Sequence, residues 1–168
     1  MLRWMAPFLS FTAEEAWGVL QAGQSKENDS IFTQTYLHLP QPDLELLAKW
    51  QRIKEIRDQA NKEIEVLRAN GSVGSSLQAQ LRLTLNAVDF ELLRSLGDDL
   101  KYVFITSESF IQKGEKEHIE VLASAHSKCA RCWHYSADVG SSAEAVHSTL
   151  CKRCVSNLYG KGDRRLFA

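Results

Sequence analysis

The sequence predicts an α+β chain in three parts: a helical-bundle segment, a small α/β connector with a short sheet, and a carboxyl-terminal module held by cysteines. Three observations carry this. Apolar residues recur at helical spacing up to Leu67, and the period then changes to two from Leu77 to Asn86. All four cysteines fall in two Cys-x-x-Cys pairs, Cys129/Cys132 and Cys151/Cys154. The expected boundaries are 1–75, 76–125 and 126–168. A hydrophobic content of 44% suffices for a core, and no apolar run approaches membrane-spanning length.

Met1 to Phe8 is almost wholly apolar and reads as helix. Thr12 with Glu15 forms a capping box, so a second helix is expected to begin near Ala13, present Ala16, Trp17 and Leu20 on one side, and stop by Gly23. This opening is apolar enough to associate or remain partly unfolded when nothing covers it. After Pro40 and Pro42 the longest helix should run from about Asp43 to Asn70 and end at Gly71. Its stripe is Leu46, Trp50, Ile53, Ala60, Ile64 and Leu67, interrupted at Arg57. Arg57, with Lys54, Asn61 and Arg68, is a candidate phosphate-contacting edge; an arginine snorkelling beside a core is the plainer alternative.

Leu77 to Asn86 alternates as a half-buried strand. A short helix from about Asp89 to Leu96 follows, then strands at Lys101–Ile105 and Ile119–Ala123, with a polar turn through Lys113-Gly114-Glu115. The connector offers no nucleophile, paired acids or glycine-rich phosphate loop, so its expected role is structural.

Eighteen residues separate the two cysteine pairs, a spacing that suits one tetrahedral zinc ion closed by four thiolates. Two disulfides would need an oxidising compartment, and no secretory leader is recognisable, so a reduced, cytoplasmic setting is expected. A redox motif would be a single pair in a βαβ setting. Histidines at His134 and His147 leave a mixed ligand set open. With four protein ligands the metal has no open position and is structural; the segment from Lys128 onward has too few large apolar groups for a core and should unfold without it.

Charge divides the chain. Thirteen Lys/Arg face eighteen Asp/Glu from Met1 to Ser127, whereas seven face three from Lys128 onward. Lys128, Arg131, Lys152, Arg153, Lys161, Arg164 and Arg165 surround the cysteine pairs, where they could meet phosphates or simply solubilise. Trp133, His134 and Tyr135 lie among them, and unpaired bases stack on such rings; alternatively Trp133 roofs the metal.

The run Trp4-Met5-Ala6-Pro7-Phe8-Leu9-Ser10-Phe11-Thr12-Ala13-Glu14-Glu15-Ala16-Trp17 resembles the start of the anticodon-binding helical domain of bacterial isoleucyl-tRNA synthetases. Lys128-Cys129-Ala130-Arg131-Cys132-Trp133-His134-Tyr135, Asp138-Val139-Gly140 and Cys151-Lys152-Arg153-Cys154-Val155-Ser156-Asn157-Leu158 resemble the carboxyl-terminal zinc module of that family. Gly71 to Leu77 resembles the turn after its long helix.

The resemblance implies a carboxyl-terminal fragment, monomeric and cytoplasmic, that binds isoleucine tRNA. The ATP-dependent catalytic domain, with its HIGH-like and KMSKS-like motifs, and the editing domain would lie elsewhere. The fragment alone is then inactive and binds tRNA weakly. The four cysteines carry over as ligands of one structural zinc. Candidate tRNA contacts are Arg57, Arg68, Lys128, Arg131, Trp133, His134, Tyr135, Lys152, Arg153, Arg164 and Arg165. Two alternatives are the four-cysteine tail of a DNA-repair glycosylase, though the Pro-Glu start of those enzymes is absent, and a zinc-stabilised protein-interaction module.

Overall fold

The computed structural model describes residues 1–22, 29–141 and 147–162, and the chain divides into Met1–Asp43 and Leu44–Ala168. In the first unit, α1 (Leu2–Met5) and α2 (Ser10–Gln21) close on a 3₁₀ turn at Ile31–Thr33. Ala6, Ala13, Trp17 and Ile31 form its core. Polar bonds lock the turn to α2. The Trp17 indole donates to the Asp29 carbonyl at 2.9 Å, and Glu14 Oε2 accepts from Ser30 Oγ at 3.1 Å and the Ile31 amide at 2.9 Å.

The expected capping box does not start this helix. α2 begins at Ser10, Leu9 is its N-cap, and the Ala13 amide already bonds the Leu9 carbonyl at 2.8 Å. Hydrogen bonds run on from α1 through Leu9 N to Met5 O and Ser10 Oγ to Ala6 O, so Thr12 sits inside the first turn. Only Ala13 and Trp17 of α2 are buried; Ala16 is half-buried and Leu20 exposed. The expected stop at Gly23 lies outside the described residues.

In the second unit α3 (Leu44–Ala69) terminates in a Schellman turn: the Ser72 amide bonds Leu67 O at 2.9 Å, the Gly71 amide bonds Arg68 O at 3.1 Å, and Gly71 takes φ +76°. Its buried face is Ile53, Ile56, Ala60 and Ile64, with Leu67 packed at its margin. Ile56 fills the turn where Arg57 was expected to interrupt the stripe, and Arg57 lies beside it. Leu46 and Trp50 stay largely exposed.

Strand β1 (Ala79–Leu85) is central in a three-stranded sheet, parallel to β2 (Glu108–Lys113) and antiparallel to β3 (His118–Ala123). Ala79, Leu81, Leu83 and Leu85 alternate into a core shared with α3, α4 (Ala87–Arg94) and α5 (Leu100–Phe104). Asn86 caps α4, accepting from the Val88 and Asp89 amides at 2.9 Å.

Residues 101–105 are not the expected strand. Leu100 and Phe104 are both buried, and their four-residue spacing places them on one face of α5; tertiary burial overrides the β-propensity of Tyr-Val-Phe-Ile. Ile105 ends the helix at φ +56°, and the chain then enters β2, which the sequence did not announce.

Arg52 joins α3 to α4 through a two-pronged contact with Asp89, Nε to Oδ1 at 3.0 Å and Nη2 to Oδ2 at 2.7 Å. Asp89 is buried, and its carboxyl is held below the ordinary range by Arg52 first, with Asn86 adding to the effect against the opposing cost of burial. No helix among the described residues is long and apolar enough to cross a membrane.

Arg52→Ala strands the buried carboxylate and should lower unfolding free energy in urea by about 2 kcal/mol, near the low end of such losses because the guanidinium is partly solvated. Because Asp89 titrates lower when folded than when unfolded, its stabilisation is complete above about pH 4 and disappears as pH falls through the folded value. The Arg52→Ala deficit should therefore shrink in acid.

Candidate metal centre and nucleic-acid interface

The first cysteine pair is shaped by a knuckle that leaves β4 (Ser127–Lys128) and returns through β5 (Tyr135–Ser136). Lys128 pairs with Tyr135, the Cys129 amide bonds His134 O at 2.9 Å, and the Trp133 amide bonds Cys129 O at 3.0 Å. The second pair is set by α6 (Lys152–Tyr159): Cys151 is its N-cap and Cys154 lies in its first turn. Backbone bonds hold the halves together, Ala130 N to Thr149 O at 3.0 Å and Gly140 N to Leu150 O at 3.1 Å.

The four sulfurs lie within 4.8 Å of one another, Cys132 and Cys151 at 3.8 Å, and none is in a disulfide. Four sulfurs at about 2.3 Å from a tetrahedral zinc stand about 3.8 Å apart, so the donor set and its spacing fit that metal. No histidine nitrogen belongs to the group. His147 is buried and stacked on Tyr159 at 4.1 Å, and His134 lies edge-on to Tyr102 at 5.3 Å.

Electrostatics prepare the sulfurs unequally. Burial is the largest single influence on Cys129, opposing ionisation. The Cys132, Cys151 and Arg131 backbone and the Cys132 side chain together outweigh it, bringing the thiol down to about 6. Burial pushes the Cys132 thiol up, and raises Cys151 further, with neighbouring thiols adding to the rise. Four close thiolates require a cation, which a metal ion would supply while the remaining thiol protons are released. The Cys151 amide donates to Cys129 Sγ at 3.4 Å and Arg131 Nη1 to Cys154 Sγ at 3.7 Å, spreading the sulfur charge.

Asp138 has a role that sequence reasoning missed. Its carboxylate accepts from Ser136 Oγ at 2.6 Å and the Lys152 amide at 3.2 Å, bridging β5 to the start of α6. An N-terminal cap supplied from fourteen residues away leaves no local pattern. Gly140 takes φ +77°, and a Cβ there would stand 2.6 Å from Ser148 O, so only glycine fits.

The candidate contacts separate into two groups. Trp133 is 60% exposed at φ +66°, with Lys128 Nζ 5.5 Å from its ring centroid. A bulky residue in the left-handed region is strained. Tyr135 and His134 are half-buried, Arg131 and Lys152 exposed, and Arg153 half-buried over Tyr102 at 4.8 Å. Burial first, helped by Lys101 and Arg153 and opposed by the Cys132 backbone, holds the His134 imidazole below the usual pKa.

Arg57 and Arg68 lie along α3, three turns apart. Arg57 Nε is buried with no partner among the described residues, and Arg68 pairs with Glu65 at 2.7 Å. No hydrogen bond, ion pair or ring contact among the described residues joins either to the cysteine module. Arg164 and Arg165 lie outside the described residues.

Residues 1–83 match the anticodon-binding domain of tRNA ligase, and residues 127–157 match a zinc finger found in FPG and IleRS. The chain is 49% identical over 170 residues to isoleucine–tRNA ligase of Ralstonia pickettii and 47% over 173 to that of Cupriavidus taiwanensis. The alignments cover 98% and 100% of this chain. The chain belongs to the isoleucine–tRNA ligase family. It spans 17% and 18% of the length of those two relatives. The match over 1–83 favours the ligases over the glycosylase alternative, and the zinc-finger match together with the sulfur cluster supports one structural zinc ion.

Chelating the metal should unfold the module while the core around Leu81, Leu83 and Phe104 persists. In amide NMR spectra, dispersion should be lost for 127–141 and 147–162 and retained for β1. Gly140→Ala should weaken zinc retention against a competing chelator, because strain and the Ser148 clash fall on the turn between the two cysteine pairs.

Proposed function

We propose that this chain is the zinc-stabilised, tRNA-contacting part of an isoleucine–tRNA ligase, acting as a monomer in the reducing cytoplasm. Residues 1–75 serve as the helical anticodon-binding segment, 76–125 as the connector, and 126–168 as the zinc module. Cys129, Cys132, Cys151 and Cys154 hold one zinc ion, which supplies folding free energy and no reactive site. ATP-dependent charging and proofreading belong to the catalytic and editing domains of the same enzyme; this chain has no catalytic residue.

The observation that carries the reading is Trp133. An exposed indole in a strained backbone conformation, with Lys128 over its ring and Arg131 two residues before it, suits stacking on an unpaired anticodon-loop base beside a phosphate. His134 and Tyr135 flank the stack. Lys128, Arg131, Lys152, Arg153, Arg164 and Arg165 contact the backbone, and Arg57 and Arg68 contact phosphates from α3. Surface ion pairs such as Arg68–Glu65 are worth little and exchange readily for a phosphate.

Trp133→Gly separates the ring from the strain. Glycine accepts φ +66° freely, so the variant should keep zinc and module stability within about 1 kcal/mol. Affinity for isoleucine tRNA should fall about tenfold or more, the scale of one stacked base. Unchanged affinity in filter-binding titrations, with zinc retained, would remove Trp133 from the interface.

A further inference from the structure

The four sulfurs differ in what covers them. Among the described residues Cys129 and Cys154 are fully buried, Cys151 is 5% exposed, and only Cys132 is half-buried. A cleft of about 50 Å³, with Lys101 and Tyr102 of α5 on its far wall, is bordered by Cys132 and Cys151 and by neither of the other two. That volume exceeds the roughly 10–15 Å³ that one water needs, so a molecule little larger than water can reach the sulfurs there. Cys132 and Cys151 come from different pairs, one on the knuckle and one at the N-cap of α6, yet their sulfurs are 3.8 Å apart.

The buried sulfurs carry donors instead. The Cys151 amide reaches Cys129 Sγ at 3.4 Å, and Arg131 Nη1 reaches Cys154 Sγ at 3.7 Å. A hydrogen bond stabilises the thiolate it meets and so lowers its nucleophilicity. Coordination deprotonates all four thiols, so with metal bound they differ in access and hydrogen bonding, not in protonation. Oxidation of thiolates follows exposure, and by that measure Cys132 reacts first, with Cys151 beside it on the same cleft.

We propose that Cys132 is a site of oxidation by hydrogen peroxide, and that its first disulfide crosses the two pairs to Cys151 and ends metal binding. The inference goes beyond tRNA recognition and rests only on the four-sulfur zinc site. The Cys132 sulfur attacks one peroxide oxygen; the S–O bond forms as the O–O bond breaks, and the departing hydroxide takes a proton from solvent. The Cys151 sulfur then attacks Cys132; the S–S bond forms, the S–O bond breaks, and a second hydroxide is protonated. Two thiolates have given up two electrons, and the peroxide with two protons has become two waters. Cys129 and Cys154 remain, half of the donor set, and hold the ion too weakly to keep it. A bond across the pairs keeps the knuckle tethered to the start of α6, so a dithiol reductant with zinc restores the site.

The test treats the zinc-loaded chain with substoichiometric hydrogen peroxide, follows zinc with a metallochromic dye, and maps bridges by non-reducing peptide mass spectrometry after free thiols are alkylated. A parallel run with excess dimedone traps sulfenic acid. Zinc should appear at about one ion per disulfide, the earliest bridge should be Cys132–Cys151, and dimedone should label Cys132. Dithiothreitol with added zinc should reverse the loss. A first bridge within either pair, sulfenic acid first at Cys129 or Cys154, or thiols and zinc untouched by excess peroxide would overturn the proposal and leave the zinc site standing. A reduced chain that holds no zinc at the outset removes the site and the proposal together.

Discussion

Four sulfurs brought within reach of one metal are the constraint on which the cysteine module depends. Between Ser127 and Gly162 the described chain has two two-residue strands and one eight-residue helix. Its buried cluster is Cys129, Cys151 and Cys154, edged by Cys132, Val139 and Leu150. That is too little apolar area to offset the ordering of the backbone. Coordination changes the balance, and the rest of the module serves it: amides aimed at the sulfurs, Asp138 tying β5 to α6, and Gly140 passing close to Ser148.

The same constraint explains how an indole comes to stand exposed at φ +66°. The residue after the knuckle that closes Cys129 on Cys132 turns left-handed, a place where glycine is the low-energy choice. Trp133 occupies it, and its ring stands exposed. In the proposed reading, stability and tRNA binding are opposed at this one residue. Tyr102 plays the complementary part from the connector, gathering Lys101 and Arg153 beside the knuckle.

What the sequence revealed was local chemistry. The Cys-x-x-Cys spacing, the two-residue period of β1 and the end of α3 at Gly71 were legible because each depends on residues close together in the chain. Other features depend on partners far along it. Ile56 packs where Arg57 was expected to break the stripe because a helix turn allows either residue to face a sheet that the helix alone does not reveal. Tyr102 to Ile105 has strand propensity, but Leu100 and Phe104 must both reach the shared core, and only a helix places them there. Thr12 has the chemistry of a cap, yet α1 carries hydrogen bonding past it. In the site, the ligand set was legible, whereas Asp138 and Tyr102 were not, since each acts on an element contributed by another stretch of chain.

X-ray absorption at the zinc edge on the purified chain tests the central claim most directly. The account predicts one zinc per chain with a first shell of four sulfurs at about 2.3 Å. A shell containing nitrogen or oxygen scatterers, or fewer than four sulfurs, would contradict it.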